Sequence, residues 1–221
     1  MDSTTHAQPA KQSAVVLLGP TGSGKTPLGK MLERRGLWGK DCVHFDFGCN
    51  LRRLVSRNVP TEHITRHDIE VLRSVLGSGA LLEDEHFPLA ARILKSFLSE
   101  YVRDERTVVV LNGLPRHTGQ AKAMDNFVRV QAVLHLDCTS DVIFARIRSN
   151  VGGDRAGRLD DDLQAVQHKL ELYNQRTLPL VEYYRGKGVV VQRLEVTSTM
   201  TPEQMWQTVN CRPYDHERNL P

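Results

Sequence analysis

Short, nearly continuous runs of aliphatic residues recur along the chain: AVVLL (14–18), CVHFDF (42–47), TVVVLN (107–112), AVLHLD (132–137) and VVVQRLEV (189–196). Within them apolar positions follow one another instead of alternating with polar ones, the pattern of strands covered on both faces. Between the runs, apolar residues fall at helical spacing, as in KTPLGKMLERRG and SDVIFARIRSN. Strand and helix signals that alternate in this way predict a three-layer α/β fold, a central five-stranded parallel sheet with helices on both sides. The stretch 48–104, mainly helical with GSGA at 77–80 as a break, is too long for a simple crossover and is expected to form an inserted subdomain. Residues 1–13 read as a polar, disordered lead-in, 14–209 as a single domain, and 210–221 as a tail.

Composition narrows the class without changing this outline. Of 221 residues, 40% are hydrophobic and 25% charged, which excludes disordered and fibrous chains. No apolar run approaches the ~20 residues that cross a bilayer, and no secretory signal precedes Ala14. The formal net charge of +3 is spread along the chain, so no basic face for nucleic acid is expected. Cys42, Cys49, Cys138 and Cys211 form no CxxC pair and read as reduced, mostly buried thiols of a cytoplasmic protein. The nine histidines form no HExxH motif, so no metal cluster is expected.

The candidate chemistry begins at Gly19-Pro20-Thr21-Gly22-Ser23-Gly24-Lys25-Thr26, which matches GxxxxGK[ST] at every fixed position between a predicted strand and a predicted helix. Glycines let successive backbone N–H groups curl round a phosphate, and the helix N-terminus adds partial positive charge. Gly19, Gly22, Ser23, Gly24, Lys25 and Thr26 are therefore expected to hold ATP, with Lys25 on the β- and γ-phosphates and the Thr26 hydroxyl on Mg²⁺. Further along, Asn112-Gly113-Leu114-Pro115-Arg116 ends the third run, where open parallel sheets bind ligands, so Arg116 is expected in the same crevice.

At these residues the chain resembles the adenylate kinase family of nucleoside monophosphate kinases. The family's DGFPR-xxx-Q element is similar to NGLPR-HTG-Q at 112–120, and its TGDxLR element resembles Phe47-Gly48-Cys49-Asn50-Leu51-Arg52. Its GxLVPxE element resembles 79–85, and its GR-x-DD lid, with the helix that follows, resembles 157–188. The resemblance implies a helical acceptor-binding insertion, a short lid near 149–161, and a monomer that takes ATP with Mg²⁺ and a nucleoside monophosphate, AMP first. It places Lys25, Arg116, Arg158 and Lys169 in catalysis, and Phe47, Arg52, Leu82, Arg116 and Gln120 at the acceptor, with Gln120 reading the base. Arg146 is expected over the donor adenine, and Arg155, Arg158, Asp160 and Asp161 in the lid.

Four positions depart from the family's pattern. Asn112 replaces an acid that anchors the water shell of Mg²⁺, Lys169 and Asn150 replace arginines, and Phe47 replaces a base-contacting threonine. Two explanations stay open: altered acceptor specificity, with Asp46 or the 83–85 acidic cluster compensating at the metal, or a nucleotide-binding homologue with little turnover. A third reading takes Asp46 as a general base in a kinase of small hydroxy acids of the shikimate or gluconate kinase type; a helix cap is the simpler reading of that carboxylate.

Overall fold

The computed structural model describes residues 11–154 and 162–211. Its strands are β1 (Gln12–Leu18), β2 (Cys42–Asp46), β3 (Val108–Asn112), β4 (Val128–Asp137) and β5 (Val190–Glu195). They form one parallel sheet in the order β2-β3-β1-β4-β5. Parallel neighbours cannot be joined by tight turns, so each connection carries helices across a face of the sheet. These are α1 (Lys25–Arg35), α2 (Phe47–Arg57), α3 (Arg66–Ser78), α4 (Phe87–Tyr101), α5 (Thr118–Met124), α6 (Ser140–Ser149), α7 (Leu163–Leu172), α8 (Leu180–Gly186) and α9 (Pro202–Asn210). Each described helix is too short, or insufficiently apolar, to cross a membrane.

Strand β1 lies at the centre, and its alternate residues feed two cores. Val15 and Leu17 pack with Leu28 and Leu32 of α1 and with Met205 and Val209 of α9. Val16 and Leu18 belong to the opposite cluster with Leu94 of α4, Met124 of α5 and Leu180 and Tyr184 of α8. With β2 and β3 on one side of β1 and β4 and β5 on the other, the chain diverges at the carboxyl ends of the central strands. A ligand crevice opens at such a point.

Several expected boundaries move for identifiable reasons. Phe47 starts α2 instead of ending β2, because Asp46 caps that helix, its Oδ1 accepting from Cys49 N at 2.8 Å. Strand β4 begins at Val128, ahead of the continuous apolar run. A register shift pairs Ala14 with Val130 but Val15 with Ala132, which leaves one extra residue in β4. Strand β5 reads as buried but is an edge, with only Leu194 inaccessible and Val190 43% exposed. The thiols are free, but only Cys42 is buried; Cys49 and Cys211 are exposed and Cys138 lies between. Burial pushes the thiol pKa of Cys42 up to about 12 and that of Cys138 up to about 11, away from reactive thiolate.

Two buried histidines link stability to pH. His135 of β4, 7% exposed with Nε2 3.0 Å from Tyr173 Oη, and His44 of β2 both have pKa values lowered by burial. The unfolded chain therefore binds more protons than the folded one below the ordinary histidine value of about 6.5. Their contribution is complete above that value and is lost as pH falls towards the lowered folded values. Urea unfolding should give a smaller unfolding free energy at pH 5.5 than at pH 7, and His135→Gln should reduce the difference. A free energy that rises on acidification would contradict this account.

Candidate active site

The loop from Gly19 to Gly24 leaves β1 and runs directly into α1. Gly22 (φ +79°) and Gly24 (φ +99°) take left-handed conformations that favour glycine. Space is restrictive at Gly19, where a Cβ would stand 2.7 Å from the Leu136 carbonyl oxygen. Lys25 Nζ donates to the carbonyls of Gly19 and Pro20, each at 2.6 Å, so the ammonium curls over its own loop. Ser23 is fully buried beneath it, its hydroxyl without a partner among the described residues.

The strand ends next to the loop form a polar junction. Thr26 Oγ1, in the first turn of α1, donates to Asp46 Oδ2 at 2.6 Å. Asn112 Nδ2 donates to Thr26 Oγ1 and to Asp46 Oδ2, both at 3.0 Å. A cavity of about 200 Å³ lies over this junction, lined by the loop together with Arg52, Arg116 and Lys169. A larger one of about 980 Å³ runs along α2, and both are bordered by Thr26, Asp46, Arg52 and Asp154.

Some arginines outside the cleft are matched: Arg92 to Asp68 and Arg176 to Glu83, each at 2.8 Å, and Arg193 to Asp137 at 2.6 Å. Arg52 and Arg116 form no ion pair with any described residue. The surrounding protein desolvates Arg116 enough to lower its pKa. Its main chain is fixed on both sides, with Arg116 N donating to Gln120 Oε1 and Thr177 Oγ1 donating to Arg116 O, both at 2.8 Å. A guanidinium held this way, beside a glycine loop that opens a helix, suits an anion shared between them.

Other expected site residues are placed differently from their sequence reading. Phe47 is 5% exposed in the core, its ring centroid 6.0 Å from that of Phe45, because the first residue of α2 faces the sheet and not the cleft. Gln120 is fully buried, and its Nε2 donates to Leu82 O at 2.6 Å, so its amide braces the Arg116 loop against Leu82, itself 3% exposed. Arg146 is 3% exposed, with Nη1 donating to Thr197 O at 2.7 Å and Met200 O at 2.8 Å. These bonds rivet α6 to the β5–α9 connection, and Arg146 Nε donates to Gly22 O at 3.3 Å, which sets the guanidinium against the P-loop. Asn150 ends α6 at φ +48°, a left-handed position that an asparagine tolerates and an arginine does not favour. Arg155, Arg158, Asp160 and Asp161 lie outside the described residues.

The sequence reading missed supports that depend on long-range contact. The Arg176–Glu83 fork, with bonds of 3.2 and 2.8 Å, ties the 173–177 turn to the segment before α4. Thr177 reaches the Arg116 carbonyl across 61 residues, with no local signal beyond the TLP sequence at 177–179. The dual attachment of Asp46, to a helix N-terminus and to Thr26, was half legible in its place at the end of an apolar run. Among the described residues there is no cluster of metal-ligating side chains of the His/Cys/acid kind.

A family model described as adenylate kinase matches residues 17–189, well over half of the chain. Proteins named adenylate kinase show similarity along most of their length. One from Prochlorococcus marinus is 28% identical over 187 residues, covering 82% of this chain and 88% of that protein. One from Stenotrophomonas maltophilia is 28% identical over 183 residues, covering 80% and 88%. One from Thermus thermophilus is 27% identical over 204 residues, covering 90% and 95%.

The brace formed by Gln120 yields a stability prediction. Gln120→Leu strips partners from the Arg116 N–H and removes one donor from the Leu82 carbonyl, and should cost about 1–3 kcal/mol in chemical unfolding. A loss below ~0.5 kcal/mol would show that the amide does not support the loop.

Proposed function

The chain belongs to the adenylate kinase family and transfers a phosphoryl group from ATP to a nucleoside monophosphate, and we propose that AMP is the acceptor. The observation that carries the residue assignments is the pair of arginines, Arg52 and Arg116, without acid partners among the described residues and across a small cavity from the P-loop. They would grip the acceptor phosphate while Gly22, Gly24 and Lys25 hold the donor. Lys25 would leave the Gly19 and Pro20 carbonyls to reach the β- and γ-phosphates. The stretch 48–104 would act as the acceptor-binding insertion and 149–161 as the lid, with Arg158 assigned to the group in transfer. The protein works in the cytoplasm as a monomer, without nucleic acid.

Phosphoryl transfer leaves little covalent chemistry to the protein. Positioning two phosphates in line, and placing positive charge on the oxygens that gain it, accounts for catalysis. The rigid seat of Arg116 serves the first need and its desolvation strengthens the second. Lys169 lines the same cavity; it carries the charge of the family's arginine without the forked geometry.

The family uses Mg²⁺ with ATP. Thr26 would hold the ion here, and a hydroxyl beside a carboxylate, both hard oxygen groups, fits it. When bound, Mg²⁺ neutralises charge on the β- and γ-phosphates. The hydroxy-acid kinase reading has less support, since the adenylate kinase family model matches residues 17–189.

Diphosphate formation from ATP, Mg²⁺ and AMP should be measurable with purified protein. Arg116→Ala should lower kcat/KM about 10²–10³-fold, the loss expected when a preorganised charge contact is removed. Lys25→Ala should reduce kcat at least as much. Absence of turnover with every monophosphate, or turnover indifferent to Arg116→Ala, would refute the reading.

A further inference from the structure

The carboxylate that the family's pattern sets at the end of β3 is an amide in this chain, Asn112. The acid next to the P-loop hydroxyl is Asp46, at the end of the neighbouring strand. Asp46 and Asn112 are register partners of the β2–β3 pairing, so their side chains leave the sheet at one level and on one face. Resting on the function proposed above, we infer that Asp46 is the carboxylate of the Mg²⁺–ATP site, and that Asn112 is its positioning residue. The acid stands one strand away from the position that the family's pattern gives it.

The hydrogen-bond pattern supports this assignment. A threonine hydroxyl that turns a lone pair towards a cation must give its proton elsewhere, and Thr26 gives it to Asp46 Oδ2 at 2.6 Å. Asn112 contributes donors only to this junction, one Nδ2 facing both Thr26 Oγ1 and Asp46 Oδ2 at 3.0 Å. An acid at position 112 would set a further acceptor against those oxygens. As it stands, the junction pairs one acid with one amide, and His44 Nε2 lies 3.4 Å from Asn112 Nδ2. Cys49 N holds the other oxygen of Asp46 at 2.8 Å, so the carboxylate is fixed before nucleotide arrives.

Other acids in the region are engaged elsewhere. Glu83 is forked to Arg176, Asp84 faces His117 at 3.6 Å, and Glu85 faces His86 at 3.4 Å. Asp154 borders the cleft, but Thr26 makes no bond to it. The compensation expected from either Asp46 or the 83–85 cluster thus falls to Asp46.

The test is the affinity of Mn²⁺ for the full chain with a non-hydrolysable ATP analogue, read by electron paramagnetic resonance, which needs no turnover. Asp46→Asn should weaken Mn²⁺ binding about 10–100-fold, the usual loss on removing a group that supports a metal ligand. Affinity for the metal-free analogue should not fall, since the change removes a carboxylate that repels its phosphates and asparagine caps a helix as well as aspartate does. The exchange variant Asp46→Asn/Asn112→Asp should regain most of the Mn²⁺ affinity, because the acid is restored one strand away. Unchanged Mn²⁺ affinity in Asp46→Asn, or an exchange variant as weak as the single one, would overturn the inference.

Stability gives a second readout should a single variant fold poorly. Asn112→Asp should lower the unfolding free energy by bringing two carboxylates together, and adding Asp46→Asn should restore it. Additive losses would overturn the pairing. The two claims fail separately. Metal affinity carried by Asp46 in a protein that phosphorylates no monophosphate refutes the proposed function alone, whereas turnover with metal affinity indifferent to Asp46 refutes this inference alone.

Discussion

A cation held in a desolvated place without a counterion is costly, and the cleft of this protein is built around that cost. Arg116 has its pKa lowered by burial and meets no acid among the described residues. Left free, such a side chain would swing to water or to a neighbouring carboxylate. Its backbone is instead tied at both the N–H, by Gln120, and the carbonyl, by Thr177. Gln120 in turn leans on Leu82, and Glu83, the next residue, is locked to Arg176. Two of the buried polar side chains, Gln120 and Thr177, thus hold the backbone that carries this positive charge. An incoming phosphate would relieve the unfavourable term.

The donor side follows from the fold. A parallel sheet brings the ends of β1, β2 and β3 to one edge, and α1 begins at that edge with its free N–H groups outward. Strand register then decides which side chains meet. Asp46 and Asn112 are partners across β2 and β3, so their side chains meet beside the P-loop hydroxyl. The position of Asn112, a loss when considered by itself, becomes a requirement once Asp46 is placed beside it.

Legibility in the sequence divided along the same physical line. The loop at 19–26 was readable because each of its positions is dictated by local needs: φ angles, closeness of backbone to phosphate, and a hydroxyl at the helix start. The sheet was readable because buried parallel strands have continuous apolar runs, although an exposed edge strand such as β5 produces the same run. Roles that depend on a distant partner were not readable. Gln120 as a brace requires the Leu82 carbonyl, and Arg146 as a rivet requires the carbonyls of Thr197 and Met200. Phe47 read as a cleft residue because its motif sets a cleft residue there, yet a large aromatic at the first position of α2 gains more by joining Phe45 in the core.

The central claim is that the cleft selects its acceptor by phosphate charge, through arginines kept free for it. The most direct measurement is calorimetric binding of AMP and of adenosine to the wild-type protein without ATP. The account predicts that AMP binds at least about 10²-fold more tightly, a difference of roughly 2.7 kcal/mol carried by charge-assisted bonds to the phosphate. Equal affinity for the two, or tighter binding of adenosine, would contradict it.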